Sequence, residues 1–166
     1  MQLLFLHGLE SGPYGAKYQA LSAAFGEVIS PDCSGISDPL QRLRIILSDL
    51  QGCEGPFLVV GSSMGGLLAL LLQQAAPERV AGMLLCAPAL HRPAAQGLSA
   101  EKLPPTLIIH GTQDQVVPIS VSRQFGTELI EVNDDHSLKN SITLIIAETG
   151  KLKQRLELDG QLSKQS

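Results

Sequence analysis

The sequence has no run of basic residues. Its 12 lysines and arginines are outnumbered by 16 aspartates and glutamates, giving a formal net charge of −4. A nucleic-acid surface would need a clustered positive face, so none is expected. Cysteine is sparse too. Cys33, Cys53 and Cys86 are odd in number and lack metal-type spacing, so they read as reduced thiols of a cytosolic chain. Cys86 closes an apolar run and reads as buried filler. Long hydrophobic runs are also missing. The longest, GGLLALLLQQAA, falls well short of the ~20 residues of a membrane span and suits a buried helix. Leu3–Leu6 has no positive charge before it and no small-residue cleavage site after it, so no secretion leader is expected. Repeats and low-complexity tracts are absent. The expected partner is a small molecule, with neither nucleic acid nor membrane.

What is present is a compact, apolar chain. Of 166 residues, 44% are hydrophobic and only 17% charged. This length suits one domain, and folding should bury about 70% of the unfolded surface. Short apolar runs read as buried strands: Leu3–Leu6, Val28–Ser30, Phe57–Val60, Gly82–Leu85, Thr106–His110 and Leu129–Val132. Between them, Tyr14–Phe25, Pro39–Leu50, Met64–Ala75, Ile119–Phe125 and Leu138–Leu156 read as helices. Ala89–Pro105 reads as a loop with at most a short helical turn. Nearly all-apolar strands alternating with helices predict an α/β fold, a mostly parallel sheet covered on both faces. Residues 1–158 are expected as a single domain, and 159–166 as a polar, frayed tail.

Parallel α/β sheets place their chemistry at the carboxyl ends of the strands. The first strand ends in HGLESG, the third in GSSMGG, the fifth in HGTQDQVVP and the sixth in NDDHSL. Within GSSMG the spacing G-x-S-x-G selects Ser63, since Ser62 has Val60, not glycine, two residues before it. A serine on a sharp strand-to-helix turn needs Gly61 and Gly65 so that strand and helix can approach closely. Its position at a helix start exposes it to the positive end of the helix dipole. A serine hydroxyl is a weak nucleophile that needs a base, and the base an orienting carboxylate. Asp114 and His136 follow in the order serine, acid, histidine, each beyond a strand end.

With LHGLESGPYGAK, GSSMGG, HGTQDQVVP and DDHSL in this order, the chain resembles the α/β-hydrolases, in particular small lidless bacterial esterases of the YqiA-like type. The likeness runs from the first strand to the histidine loop. It implies a minimal three-layer fold of about six strands rather than eight, with no cap domain. It implies a catalytic Ser63, Asp114 and His136, with the backbone N–H groups of Leu9 and Met64 as oxyanion hole, and Gly8 letting the backbone come close to substrate. The activity implied is a serine carboxylesterase on short to medium acyl esters, with no metal and no organic cofactor. A thioesterase or acyltransferase on the same residues stays open, as does a non-catalytic scaffold of this fold.

Other residues carry two readings. Ser11 and Tyr14 either touch substrate or serve as polar helix-entry residues, and His91 either lines the pocket or sits on a surface loop. Lys17 reads as a helix-surface lysine, while His7 and His110 read as holding their loops. Asp134 and Asp135 adjoin the predicted base, and a carboxylate there would compete with Asp114. The context of GTQDQVVP, a turn before a proline-started helix, favours Asp114.

Overall fold

The six apolar runs pair into one sheet, and every pairing is parallel. The computed structural model describes residues 1–164. Strands β1 (Gln2–Leu6), β2 (Val28–Ile29), β3 (Phe57–Ser62), β4 (Val80–Cys86), β5 (Thr106–Gly111) and β6 (Glu128–Val132) lie in the order 2-1-3-4-5-6. The helices are α1 (Ala16–Phe25), α2 (Pro39–Asp49), α3 (Met64–Ala75), α4 (Ile119–Phe125) and α5 (Ile142–Ser163).

Alternation along each strand divides the core in two. Leu4, Leu6, Val59, Met83, Leu85 and Ile108 face one side, where Ile46 and Leu50 of the α2 region and most of α3 cover them. Leu3, Phe5, Leu58, Val60, Leu84, Leu107 and Ile109 face the other, against Leu21 of α1 and Ile145, Leu152 and Leu156 of α5. Both faces are dry, which is why these strands carry so few polar residues. Helix α3 is buried from Met64 to Leu72, so GGLLALLL is a core helix. Each leucine there contributes roughly 1.5–3 kcal/mol of burial.

The strand order reverses between β1 and β3: β2 lies on one side of β1, and the chain then crosses to the other. A crevice opens at the carboxyl ends of strands at such a switch point. The loops after β1 and β3 meet there.

Some boundaries differ from expectation. Helix α1 begins at Ala16, with Gly15 as its cap, rather than at Tyr14. The last helix begins at Ile142, after a 3-10 turn at Lys139–Ser141, because Leu138 takes a left-handed conformation with φ 54°. It then runs to Ser163, so residues 159–163 are helical and solvent-facing rather than a frayed tail. Gln165 and Ser166 of that tail lie outside the described residues. Between β4 and β5 there is one 3-10 turn, Pro93–Ala95, and no cap domain.

Candidate active site

Ser63 joins β3 to α3 with φ 54° and ψ −112°, a conformation costly for a residue with a Cβ. The surroundings hold it there. Its amide donates to Cys86 O at 2.9 Å, and its carbonyl accepts from Gly66 and Ala89 N–H, both at 3.0 Å. The glycines are required by space. A Cβ on Gly61 would overlap the Gly65 carbonyl, and one on Gly65 would overlap Leu6 O and sit 2.9 Å from His7 O.

The Ser63 hydroxyl meets His136 Nε2 at 2.9 Å, and His136 Nδ1 donates to Asp114 Oδ2 at 2.6 Å. With Nδ1 carrying its hydrogen toward a carboxylate, Nε2 of the neutral ring is left as acceptor for the serine O–H. Asp114 has no exposed side-chain surface, while His136 is 24% exposed. The acid is held by the chain around it: Oδ1 accepts from Val116 and Val117 N–H, both at 2.8 Å. Burial is the largest single influence on Asp114 and opposes its ionisation. The hydrogen bonds from His136 and the two amides together outweigh it, keeping the carboxyl below its usual range.

A second imidazole backs Asp114. His110 Nε2 is 3.1 Å from Asp114 Oδ2 and 3.0 Å from Val117 O, and Nδ1 is 2.7 Å from Ser122 Oγ. A carbonyl only accepts, so Nε2 carries the hydrogen and Nδ1 accepts from the Ser122 hydroxyl. Burial pushes the His110 pKa down against the opposing pull of Val117 O and Asp114. His110 thus holds its loop, as expected, and its hydrogen also reaches the acid.

The loop after β1 is pinned in a similar way. His7 Nδ1–H donates to Gly8 O at 2.8 Å and Nε2 accepts from Cys33 N–H at 2.9 Å, which fixes a neutral tautomer. Its pKa is lowered, chiefly by burial. Arg42, 1% exposed, reaches from α2 to donate to His7 O at 3.1 Å, Gly8 O at 3.3 Å and Ile36 O at 2.6 Å. Ser11 Oγ accepts from Gly8 N–H at 3.1 Å. Gly8 lies against the serine: a Cβ there would be 3.5 Å from Ser63 Cβ. The Leu9 and Met64 amides donate to no acceptor among the described residues. For Met64 this follows from its place as the first residue of α3.

These groups line a cleft of about 420 Å³, which takes in Gly8, Leu9, Ser11, Ser63, Met64, His91 and His136. His91 therefore belongs to the cleft, and its pKa is lowered first by burial and then by the Arg92 charge. Tyr14 does not belong. It is 62% exposed and packs edge-on against Tyr18, outside the cleft lining. Lys17 is no free surface lysine: it lines the cleft and donates from Nζ to Ser137 O at 2.8 Å.

Neither neighbouring aspartate competes for His136. Asp134 is buried and accepts from Ser141 Oγ at 2.8 Å, Asn140 N–H at 3.0 Å and Asp135 N–H at 2.8 Å. Asp135 accepts from Ser137 N–H and Oγ–H. Asp134 thereby shapes the histidine loop without touching the ring. Sequence reasoning missed Arg42 and Ser122. Arg42 had a signal: it sits four and eight residues before Ile46 and Leu50, on the buried stripe of α2. Ser122 had none.

Among the described residues, no three His, Cys, Asp or Glu side chains gather to hold a metal ion, and no helix is long and apolar enough to cross a membrane. The sequence profile of the alpha/beta hydrolase family matches residues 3–129. No curated protein matches at a significant level. Among solved structures, an alpha/beta superfamily protein from Xanthomonas campestris pv. campestris is similar at TM-score 0.78 and 23% identity, over 93% of this chain and 98% of that one. Est1E from Butyrivibrio proteoclasticus is similar at TM-score 0.75 and 17% identity, over 95% and 88%. Mouse alpha/beta hydrolase domain-containing protein 10 reaches 0.72 and 21%, over 93% and 90%.

Proposed function

This chain belongs to the alpha/beta hydrolase family, and from that premise we propose that it is a serine carboxylesterase acting through an acyl-enzyme. The observation that carries the reading is the continuous chain of hydrogen bonds from Asp114 through His136 to Ser63, opening on the cleft. His136 Nε2 takes the Ser63 proton as Oγ attacks the ester carbonyl. Asp114 holds the Nδ1–H tautomer and offsets the charge that forms on the ring. The Leu9 and Met64 amides receive the developing oxyanion, each worth ~10²–10³ in turnover. His136 then gives its proton to the departing alkoxide, which leaves as the alcohol. Water, deprotonated by the same nitrogen, attacks the acyl-serine and releases the acid.

Water access favours hydrolysis over transfer to another acceptor, because the His136 ring is partly exposed and no cap covers it. The uncapped cleft also favours short to medium acyl chains. A serine-reactive fluorophosphonate is the direct test. Labelling and ester hydrolysis should both vanish in Ser63→Ala and persist in Ser62→Ala, with the circular dichroism of the fold unchanged. Labelling that survives Ser63→Ala overturns the reading.

A further inference from the structure

The charge around the cleft runs against the charge of the chain. Overall, acidic residues exceed basic ones by 16 to 12. In the cleft lining the side chains of fixed charge are Lys17, Arg92 and Lys139 against Glu10 alone.

These cations are tied to the reacting residues through the backbone. Arg92 N–H donates to Ala89 O at 3.3 Å, and Ala89 N–H donates to Ser63 O at 3.0 Å, so Arg92 sits one turn from the nucleophile's own carbonyl. Lys17 is fastened to Ser137 O, beside His136. Lys139 begins the 3-10 turn that follows the same loop. Lys139 also helps hold the Asp135 carboxylate ionised, whereas Arg92 and Lys17 form no ion pair among the described residues.

Arg92 is the more telling of the two. It is half-buried, and its guanidinium makes no hydrogen bond or ion pair among the described residues. Its charge lowers the pKa of both His91 and Arg42. A half-buried guanidinium with no acceptor on the chain keeps its five N–H donors available to an anion. The planar fork of arginine matches a carboxylate in two-point geometry.

We propose that the substrate is an anionic ester, one bearing a carboxylate-like group besides the bond that is cleaved, with Arg92 as its main recognition residue and Lys17 as the second. This rests on the serine-esterase reading and narrows it. A positive cleft on a negative chain concentrates such a substrate and repels the cationic one, an effect of tenfold or more at low salt.

The test compares two matched pairs. One places the charge on the acyl side: mono-4-nitrophenyl glutarate against its methyl ester. The other places it on the leaving group: 4-acetoxybenzoate against methyl 4-acetoxybenzoate. Uncatalysed rates are subtracted and scaled by alkaline hydrolysis. Wild type should show an anionic-to-neutral kcat/KM ratio of about ten or more in at least one pair at low salt, declining as sodium chloride is added. Arg92→Gln should bring that ratio toward one, mainly through KM. Arg155→Gln, on α5 away from the cleft, should leave the ratio where it was. A wild-type ratio near one in both pairs, or a high ratio that survives Arg92→Gln, overturns the proposal while leaving the esterase reading intact. Failure of the esterase reading looks different: neither member of either pair is turned over, and Ser63 is not labelled.

Discussion

Replacing Gly65 by alanine should damage stability and activity together. The added methyl would overlap the carbonyl oxygen of Leu6 and stand 2.9 Å from that of His7. Both obstacles are backbone, so no side-chain rotation relieves them, and β1 and α3 must separate by something on the order of an ångström in a close-packed core. Overpacking against movable side chains costs about 1–3 kcal/mol. Against a strand fixed by its ladder to β3, the cost should reach the top of that range, about 3 kcal/mol or more. With a urea slope near 2 kcal/mol/M, the midpoint should fall by roughly 1.5 M. Leu6 and His7 lead directly into the Leu9 amide, so the fraction that stays folded should lose about 10² in kcat, the loss expected for one oxyanion donor. Gly52→Ala is the control, because a Cβ there meets nothing within 4 Å; its change should stay within about 0.5 kcal/mol. The assay is equilibrium urea unfolding by circular dichroism, paired with ester hydrolysis in dilute urea. A Gly65→Ala protein within 1 kcal/mol of wild type and fully active would refute the claim that this contact positions the site.

Three further outcomes follow from the same geometry. Asp114→Asn should lower kcat by about 10⁴, since the amide no longer fixes the Nδ1–H tautomer, whereas Asp135→Asn should stay close to wild type; steady-state kinetics of both decides the assignment. His7 and His110 are buried with pKa values below the unfolded 6.5, so below that pH the unfolded chain takes up protons first. Stability should hold above pH 6.5 and fall as pH drops toward their folded values, a trend in the urea midpoint from pH 7.5 to 5.5 that His7→Gln should flatten. Across nitrophenyl esters from acetate to palmitate, kcat/KM should rise while methylenes are still being buried, at about 0.8 kcal/mol each, and level off once the chain leaves the cleft; a steady rise through palmitate would contradict an uncapped site.

The parts of this fold that depend on local pattern were legible in the residues. Each of the six apolar runs is a strand, with β2 stopping at Ile29 and the other five running past their expected ends, among them into Gln2, Ser62 and Glu128, because a ladder pairs backbone and is indifferent to a polar side chain at its end. The elbow at Ser63 was legible because its glycines answer a steric demand that shows in the spacing. Residues whose partners come from distant segments were not legible in this way. Lys17 has the look of a surface lysine until Ser137 is brought beside it. Asp134 and Asp135 are indistinguishable from Asp114 by chemistry. What separates them is that Asp134 is consumed in capping the turn at Asn140 and Ser141. That same capping ends the loop and delays α5 to Ile142.

The two His-Gly pairs at strand ends solve one problem twice. A loop that leaves the end of a strand can no longer be held by the sheet ladder, and one that lines a cleft must still be fixed. At the end of β1, His7 satisfies Gly8 O and Cys33 N–H. At the end of β5, His110 satisfies Val117 O and Ser122 Oγ and touches Asp114. In both, a neutral buried imidazole uses one nitrogen as donor and the other as acceptor, so it ties two segments at once. Aspartate or lysine could not do this without burying a charge. The glycine that follows lets the facing chain come close: a Cβ on Gly8 would touch Ser62 O at 3.4 Å, and one on Gly111 would overlap Asp134 O. The second contact brings the loop of His136 beside the loop of Asp114, so that the two side chains meet. Protonating either imidazole adds a second donor where an N–H or a hydroxyl hydrogen already points, so acid should loosen the loop after β1 and the His136–Asp114 contact through the same chemistry.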